Sequence, residues 1–300
     1  MTYKTPRALE MAVKQAAKES SQDTGRAIAG FWHHRLLCRV FADGNRSFVL
    51  KGGHAMLART VDARATRDID LLSTTSSLDR ALEDLKRLAL RDLDDFVTFE
   101  FIDARPIKTA DEYRSGLTVR FACLLGARKV HDVSIDLVVD EVTLEDVDVV
   151  TPLDRLDIRG VDTCDYCVYP IDAVLADKLC GIIEPHAGRP SSRVKDLVDV
   201  LVVISSMGVD GDRLASRIDT ELSVRKLVRP QEFHLPAHWN QQYSVTYAVM
   251  SKRAHLPDAA AHLNDAQELA QKLFNPALDA TSRGKEWNWQ ARAWEPKEPA

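Results

Sequence analysis

The stretch Phe48-Val49-Leu50-Lys51-Gly52-Gly53, followed shortly by Arg67-Asp68-Ile69-Asp70-Leu71-Leu72, carries the reading of this chain. Phe48 to Leu50 is a short apolar run that reads as a buried strand, and Lys51-Gly52-Gly53 ends it. A helix through Ala55, Met56, Leu57 and Ala58 follows. Two residues without a Cβ let the backbone come close to a ligand, and the helix N-terminus after them favours phosphate. The turn does not match GxxxxGK[ST], the Walker pattern. Lys51, Gly52 and Gly53 are therefore candidate nucleotide contacts of another kind.

Asp68 and Asp70 are one residue apart on a strand predicted over Asp68 to Leu72, and a period of two sends both to one face. Their repulsion calls for a cation, and hard oxygen ligands suit magnesium bridging a nucleoside triphosphate. In Val133-Ser134-Ile135-Asp136-Leu137-Val138-Val139, Asp136 interrupts an apolar strand, where an unpaired charge is costly. On its own, Asp136 reads equally as a metal ligand or as a carboxylate facing water on an edge strand. With Asp68 and Asp70 it fits a two-metal site, as ligand and as general base for an incoming hydroxyl. Arg59, Arg64 and Arg67 flank the motif as candidates to neutralise phosphate. Thr66 shares the face of Asp68 and Asp70, so Arg64 and Thr66 join the nucleotide contacts.

Outward from this centre, residues 6 to 42 show helical periodicity in two runs, and Asp43-Gly44-Asn45 reads as a turn. After the acidic strand, Leu78 to Leu90 is an amphipathic helix, and Val97 to Ile102, Leu117 to Leu125 and Val133 to Val139 are strands. The expectation is an α+β fold: a mixed-sheet core followed by a mainly helical C-terminal domain. The boundary is placed at residues 1–160 and 161–300. Helices are predicted over Ile171 to Ile183, Val194 to Met207, Gly211 to Leu222 and Asp258 to Phe274. The end of the chain, with Trp287, Trp289 and Trp294, reads as a docked arm or a flexible end.

Bulk properties exclude some classes. Three hundred residues, 45% of them hydrophobic and 28% charged, suffice for a buried core. No run of about eighteen apolar residues occurs, and the N-terminus carries charges where a signal peptide is apolar. The expectation is a cytoplasmic protein without a membrane partner. The net charge of −5 means that any nucleic-acid contact comes from a local patch. Cys38, Cys123, Cys164, Cys167 and Cys180 are odd in number and scattered, which suits reduced thiols better than a disulfide framework. Cys164 and Cys167 form a CxxC without a second pair, and Pro236 breaks the helix that His234 and His238 would need to bind zinc.

In the second half, Lys178 lies in the apolar helix IDAVLADKLCGII, and Asp196 and Asp199 are three apart in SSRVKDLVDVLVVI, on nearly one helical face. Such a lysine reads either as a phosphate ligand fixed by Asp196 or as part of a salt bridge between packed helices. FVLKGGHAML, RATRDIDLL, SIDLVV, ADKLCGI, RVKDLVDVL and the HLPAHW segment, in this order, resemble the AbiEii nucleotidyltransferase toxins of bacterial toxin-antitoxin systems, MenT toxins included. The resemblance covers most of residues 8 to 295.

It implies a polymerase-beta-like nucleotidyltransferase core, with Asp68 and Asp70 binding metal, Lys178 handling nucleotide phosphate and Asp196 essential. The superfamily often has Gly-Ser where this chain has Gly52-Gly53, so a serine contact to phosphate is missing. The resemblance further implies Mg²⁺ and an NTP co-substrate, tRNA as acceptor at its 3′ end, and an AbiEi-like antitoxin as partner. Two alternatives stay open. One keeps the fold but passes the nucleotide to a protein or small-molecule hydroxyl, and Arg225, Lys226 and Arg229 lean towards RNA over it. The other is a non-catalytic nucleotide- or RNA-binding regulator.

Overall fold

Helix α1 (Pro6–Glu19) starts where Thr5 accepts from the Ala8 amide at 3.2 Å and Pro6 supplies a preset φ, and it buries Leu9, Val13 and Ala17 on one stripe. Asp23 caps α2 (Thr24–Phe41) through the Arg26 amide at 2.9 Å. From Phe31 to Phe41 every residue of α2 is buried, Arg35 and Arg39 included. Both guanidiniums close on the one carboxylate of Asp95, at 2.6 and 2.7 Å, and the backbone oxygens of Asp162 and Val97 also accept from Arg35 and Arg39 respectively. The computed structural model describes residues 3–60, 66–75, 77–107, 114–140, 147–185 and 188–297.

The chain then alternates β1 (Phe48–Lys51), α3 (Gly52–Arg59), β2 (Ile69–Ser73) and α4 (Leu78–Ala89). Three long strands follow, β3 (Val97–Pro106), β4 (Arg114–Leu125) and β5 (Arg128–Asp140), and then the short β6 (Asp148–Val150) and β7 (Tyr166–Val168). They form one mixed sheet in the order β3-β4-β5-β2-β1-β7-β6. Pairs β2/β5 and β1/β7 are parallel and the rest antiparallel. One face carries Leu50, Ile69, Leu71, Phe99, Val119, Phe121, Val133, Ile135 and Leu137, in one core with Leu9, Phe31, Leu36 and Leu85 of the helices. By the period of two, Lys51, Asp70, Thr118 and Asp136 point to the opposite face. Helix packing on one side thus leaves the other side for chemistry.

Two compact units divide the chain, the first ending at Tyr169 and the second continuing from Pro170. The second unit holds α5 (Ile171–Ile183), α6 (Val194–Ser206), β8 (Val209–Asp210), α7 (Gly211–Val224), α8 (Trp239–Gln242), α9 (Ser244–Arg253), α10 (Leu263–Leu278), β9 (Lys285–Asn288) and β10 (Ala293–Pro296). Helix α10 starts later than the predicted Asp258, because Pro257 opens a 3-10 turn at Asp258–Ala260 and His262 is extended. It also runs past Phe274 through Pro276, at the loss of one backbone hydrogen bond. The tryptophan-bearing end is a docked hairpin. Trp287 is buried and donates to Ile204 O at 2.9 Å, and Trp294 stacks edge-on against it. Among the described residues no helix is long and apolar enough to cross a membrane.

Candidate active site

Strand register assembles a polar row on the sheet face opposite the helices. Lys51 pairs with Asp70 across β1 and β2, Asp70 with Asp136 across β2 and β5, and Asp136 with Thr118 across β5 and β4. In-register neighbours on one face stand about 5 Å apart. The Asp70 and Asp136 carboxylates therefore project side by side from adjacent parallel strands. Thr118 donates to Asp136 Oδ1 at 2.8 Å, which fixes that carboxylate and leaves its second oxygen for another partner. Lys51 closes the row, with its ammonium 4.1 Å from the centre of the Tyr169 ring.

The two glycines act on the protein itself before any ligand. Gly52 has φ +62, and a Cβ there would lie 1.9 Å from Asp70 Oδ2. A Cβ on Gly53 would lie 2.6 Å from Thr66 Cβ. The turn thus rests against the Asp70 carboxylate and the Thr66 side chain, so turn and acidic strand form one tight unit. No side chain caps α3, whose first-turn amides follow this turn. Thr66 in turn donates to Asp68 O at 3.4 Å.

Asp68 is exposed and precedes β2, whose pairing with β5 starts at Ile69, so the strand begins one residue later than expected. Arg67 is exposed, and Arg64 lies outside the described residues. Arg59, a phosphate candidate in the sequence, has protein partners of its own. It binds Asp148 at 2.6 Å and Tyr169 O at 3.1 Å, which ties α3 to the β6–β7 edge.

Among the described residues no three His, Cys, Asp or Glu side chains gather tightly enough to hold a metal alone. Asp68, Asp70 and Asp136 are thus not closed into a cage. The donor set nevertheless fits Mg²⁺, which is ordinarily held by one or two carboxylates with substrate phosphates and water completing its shell. The missing Cβ at Gly52 leaves the space that Asp70 Oδ2 occupies.

Behind the turn, His54 of α3 contacts His33 of α2, whose Nε2 lies 3.3 Å from Nε2 of His131 on β5. Burial, then the neighbouring His54 and His131, pushes His33 down to about 3. Burial, then Arg26, pushes His54 down to about 4. These imidazoles are neutral packing groups at neutral pH.

In the second unit, Lys178 Nζ binds Asp199 Oδ2 at 2.7 Å and Asp196 Oδ1 at 3.1 Å, and Arg193 Nε binds Asp196 Oδ2 at 2.5 Å. Burial by itself would push Lys178 down. The Asp199 and Asp196 carboxylates outweigh it and hold the ammonium above its ordinary value. An ammonium has three donors, of which the carboxylates take two. The three-residue spacing brings Asp196 and Asp199 to one cation, with Asp199 the nearer, while Arg193 on the far oxygen of Asp196 has no signal in that spacing. Arg225, read from sequence as part of an RNA-facing cluster, is instead buried against Asp177, Glu184 and Glu221. Arg229 is bound to Asp219 and to Leu278 O.

Comparison with known proteins finds a matching family model and similar solved structures. The family model of the nucleotidyl transferase AbiEii toxin, type IV toxin-antitoxin system, matches residues 35–291. Among solved structures, MenT4, a nucleotidyltransferase toxin from Mycobacterium tuberculosis, is similar at a TM-score of 0.50 and 14% identity, over 91% of this chain and 98% of that one. JHP933 from Helicobacter pylori is similar at a TM-score of 0.41 and 18% identity, over 84% and 95% of the respective chains. No curated protein matches the sequence.

Proposed function

The chain belongs to the AbiEii family of nucleotidyl transferase toxins of type IV toxin-antitoxin systems, and from that premise we propose that it transfers NMP from an NTP to the 3′ acceptor end of tRNA. The product tRNA is blocked for aminoacylation, which arrests translation. An AbiEi-like antitoxin is its partner in the operon.

The observation that supports nucleotidyl transfer is the register row Lys51–Asp70–Asp136–Thr118, set against the Gly52–Gly53 turn. Mg²⁺ held by Asp68, Asp70 and Asp136 would offset the negative charge of the triphosphate and ease deprotonation of the attacking hydroxyl. Asp136, oriented by Thr118, takes the proton of the incoming 3′ hydroxyl. The oxygen forms a bond to the α-phosphorus as the bond to the pyrophosphate oxygen breaks. Lys51, Gly52 and Gly53, with Arg64 and Thr66, are the nucleotide contacts of the first unit. Lys178 is the phosphate-handling lysine of the second, kept charged by Asp196 and Asp199. Asp196 acts through Lys178 as a positioning residue.

The acceptor is proposed from the family resemblance. With Arg225 buried, the basic cluster no longer weighs for RNA over a protein hydroxyl. Incubation with each α-labelled NTP, Mg²⁺, total tRNA and total cell protein distinguishes the acceptors. Label at tRNA 3′ ends, lost in Asp68→Ala and Asp70→Ala, is the expected result. Label on protein alone overturns the acceptor, and undiminished transfer by both variants overturns the metal assignment. NTP binding without transfer to any acceptor overturns the enzymatic reading.

A further inference from the structure

Two of the five free cysteines meet outside the candidate active site. Cys38 sits near the end of α2 and Cys164 just before β7, and the Cys164 thiol donates to Cys38 Sγ at 3.2 Å. Three groups surround Cys38 besides: His34, with Nε2 at 3.4 Å; Arg35, whose Nη1 donates at 3.7 Å; and Tyr166, whose hydroxyl is bonded to His34 Nδ1. Cys167, the other half of the CxxC, turns away and donates to Asn45 O at 3.8 Å. Tertiary contact, and not the two-residue spacing, therefore defines the thiol pair.

The pair lines a cavity of about 520 Å³ whose wall also includes Asp43, Arg46, Asp162 and Thr163. Cys164 is half-buried there while Cys38 is in the core, so a small oxidant entering the cavity reaches the two sulfurs from the Cys164 side. The Cys164 thiol, opposed by burial and aided by His34 and Arg35, holds Cys38 below the ordinary thiol value. Its hydrogen bond to Cys38, together with burial, raises Cys164 in turn. The Arg35 guanidinium and the His34 imidazole both lie against Cys38 Sγ, which favours the thiolate on that sulfur, with Cys164 in contact as the resolving thiol.

We propose that Cys38 and Cys164 are a redox-modification site, a dithiol converted to a disulfide by a peroxide. The Cys38 sulfur attacks one peroxide oxygen, the O–O bond breaks, and the departing oxygen leaves as water after protonation. The resulting Cys38 sulfenic acid loses its hydroxyl as a second water when the Cys164 sulfur bonds to Cys38. Two thiols are oxidised by two electrons and the peroxide is reduced to two waters. Closure from 3.2 Å to a disulfide bond of about 2.05 Å needs a displacement of roughly 1 Å, within reach of side-chain rotation. The bond ties α2 to the segment entering β7. That strand pairs with β1 at Leu50–Val168 and is followed at once by Tyr169, the residue under Lys51.

The test uses the full chain treated with hydrogen peroxide, alkylated, and mapped by mass spectrometry without reduction. The expected result is loss of two of the five thiols, a peptide joining Cys38 to Cys164, and full recovery with dithiothreitol. Cys164→Ser, at the more exposed position, abolishes the cross-link, and Cys167→Ser retains it. Circular dichroism establishes that each variant is folded. A Cys164–Cys167 link, retention of all five thiols, or irreversible oxidation of Cys38 with Cys164 untouched overturns the proposal.

Discussion

Gly52→Ala is the perturbation with the clearest consequence. The added Cβ would stand 1.9 Å from Asp70 Oδ2 and 2.7 Å from its Cγ, where ordinary contact begins at 3.4 Å. The carboxylate must retreat by roughly 1.5 Å, and a misplacement of about 1 Å at a reacting centre costs on the order of a hundredfold in rate. Separately, an L side chain at φ +62 costs about 1–2 kcal/mol of stability. Gly44→Ala separates the two effects, because Gly44 has φ +68 and nothing within 4 Å of its would-be Cβ. Gly52→Ala should lose at least as much stability in urea unfolding as Gly44→Ala, because the clash adds to the strain that the two share. Only Gly52→Ala should lose about two orders of magnitude in label transfer from NTP. Equal transfer by the two variants would refute the argument that the turn positions Asp70.

Other expectations follow from the same contacts. Thr118→Val removes the donor to Asp136 Oδ1 while preserving shape; transfer should fall about tenfold, with little change in the unfolding midpoint. Lys178→Met leaves two carboxylates with 7% and 9% exposed side chains lacking their shared cation, and urea unfolding should register a loss of about 3 kcal/mol or more. His33 and His54 are held down to about 3 and about 4 in the folded protein against an unfolded value of about 6.5, so the unfolded chain binds more protons between them. Stability should therefore fall as pH drops from about 6.5 to about 4, by up to about 1.4 kcal/mol per pH unit per histidine, and His54→Gln should flatten that slope in thermal melts.

Local pattern made much of this protein legible. The apolar run before Gly52-Gly53, the period of two at Asp68 and Asp70, and the three-residue step from Asp196 to Asp199 are short-range signals that marked β1, β2 and α6, although Asp68 falls one residue before β2. Long apolar periodicity likewise marked α5 and α7, because side-chain burial recurs with the helical turn. Short strands such as β6, β7 and β8 carry too few residues for a period to show. Register was beyond local pattern altogether. That Asp70 faces Asp136, that Thr118 donates to it, and that Tyr169 underlies Lys51 are outcomes of pairing between strands far apart in sequence. So are the burial of Arg225 among three carboxylates and the meeting of Cys38 with Cys164. Composition and spacing determined which carboxylates, glycines and lysines were available. Tertiary structure decided which of them meet, because a β-ladder and a packed core join residues by space and not by order along the chain.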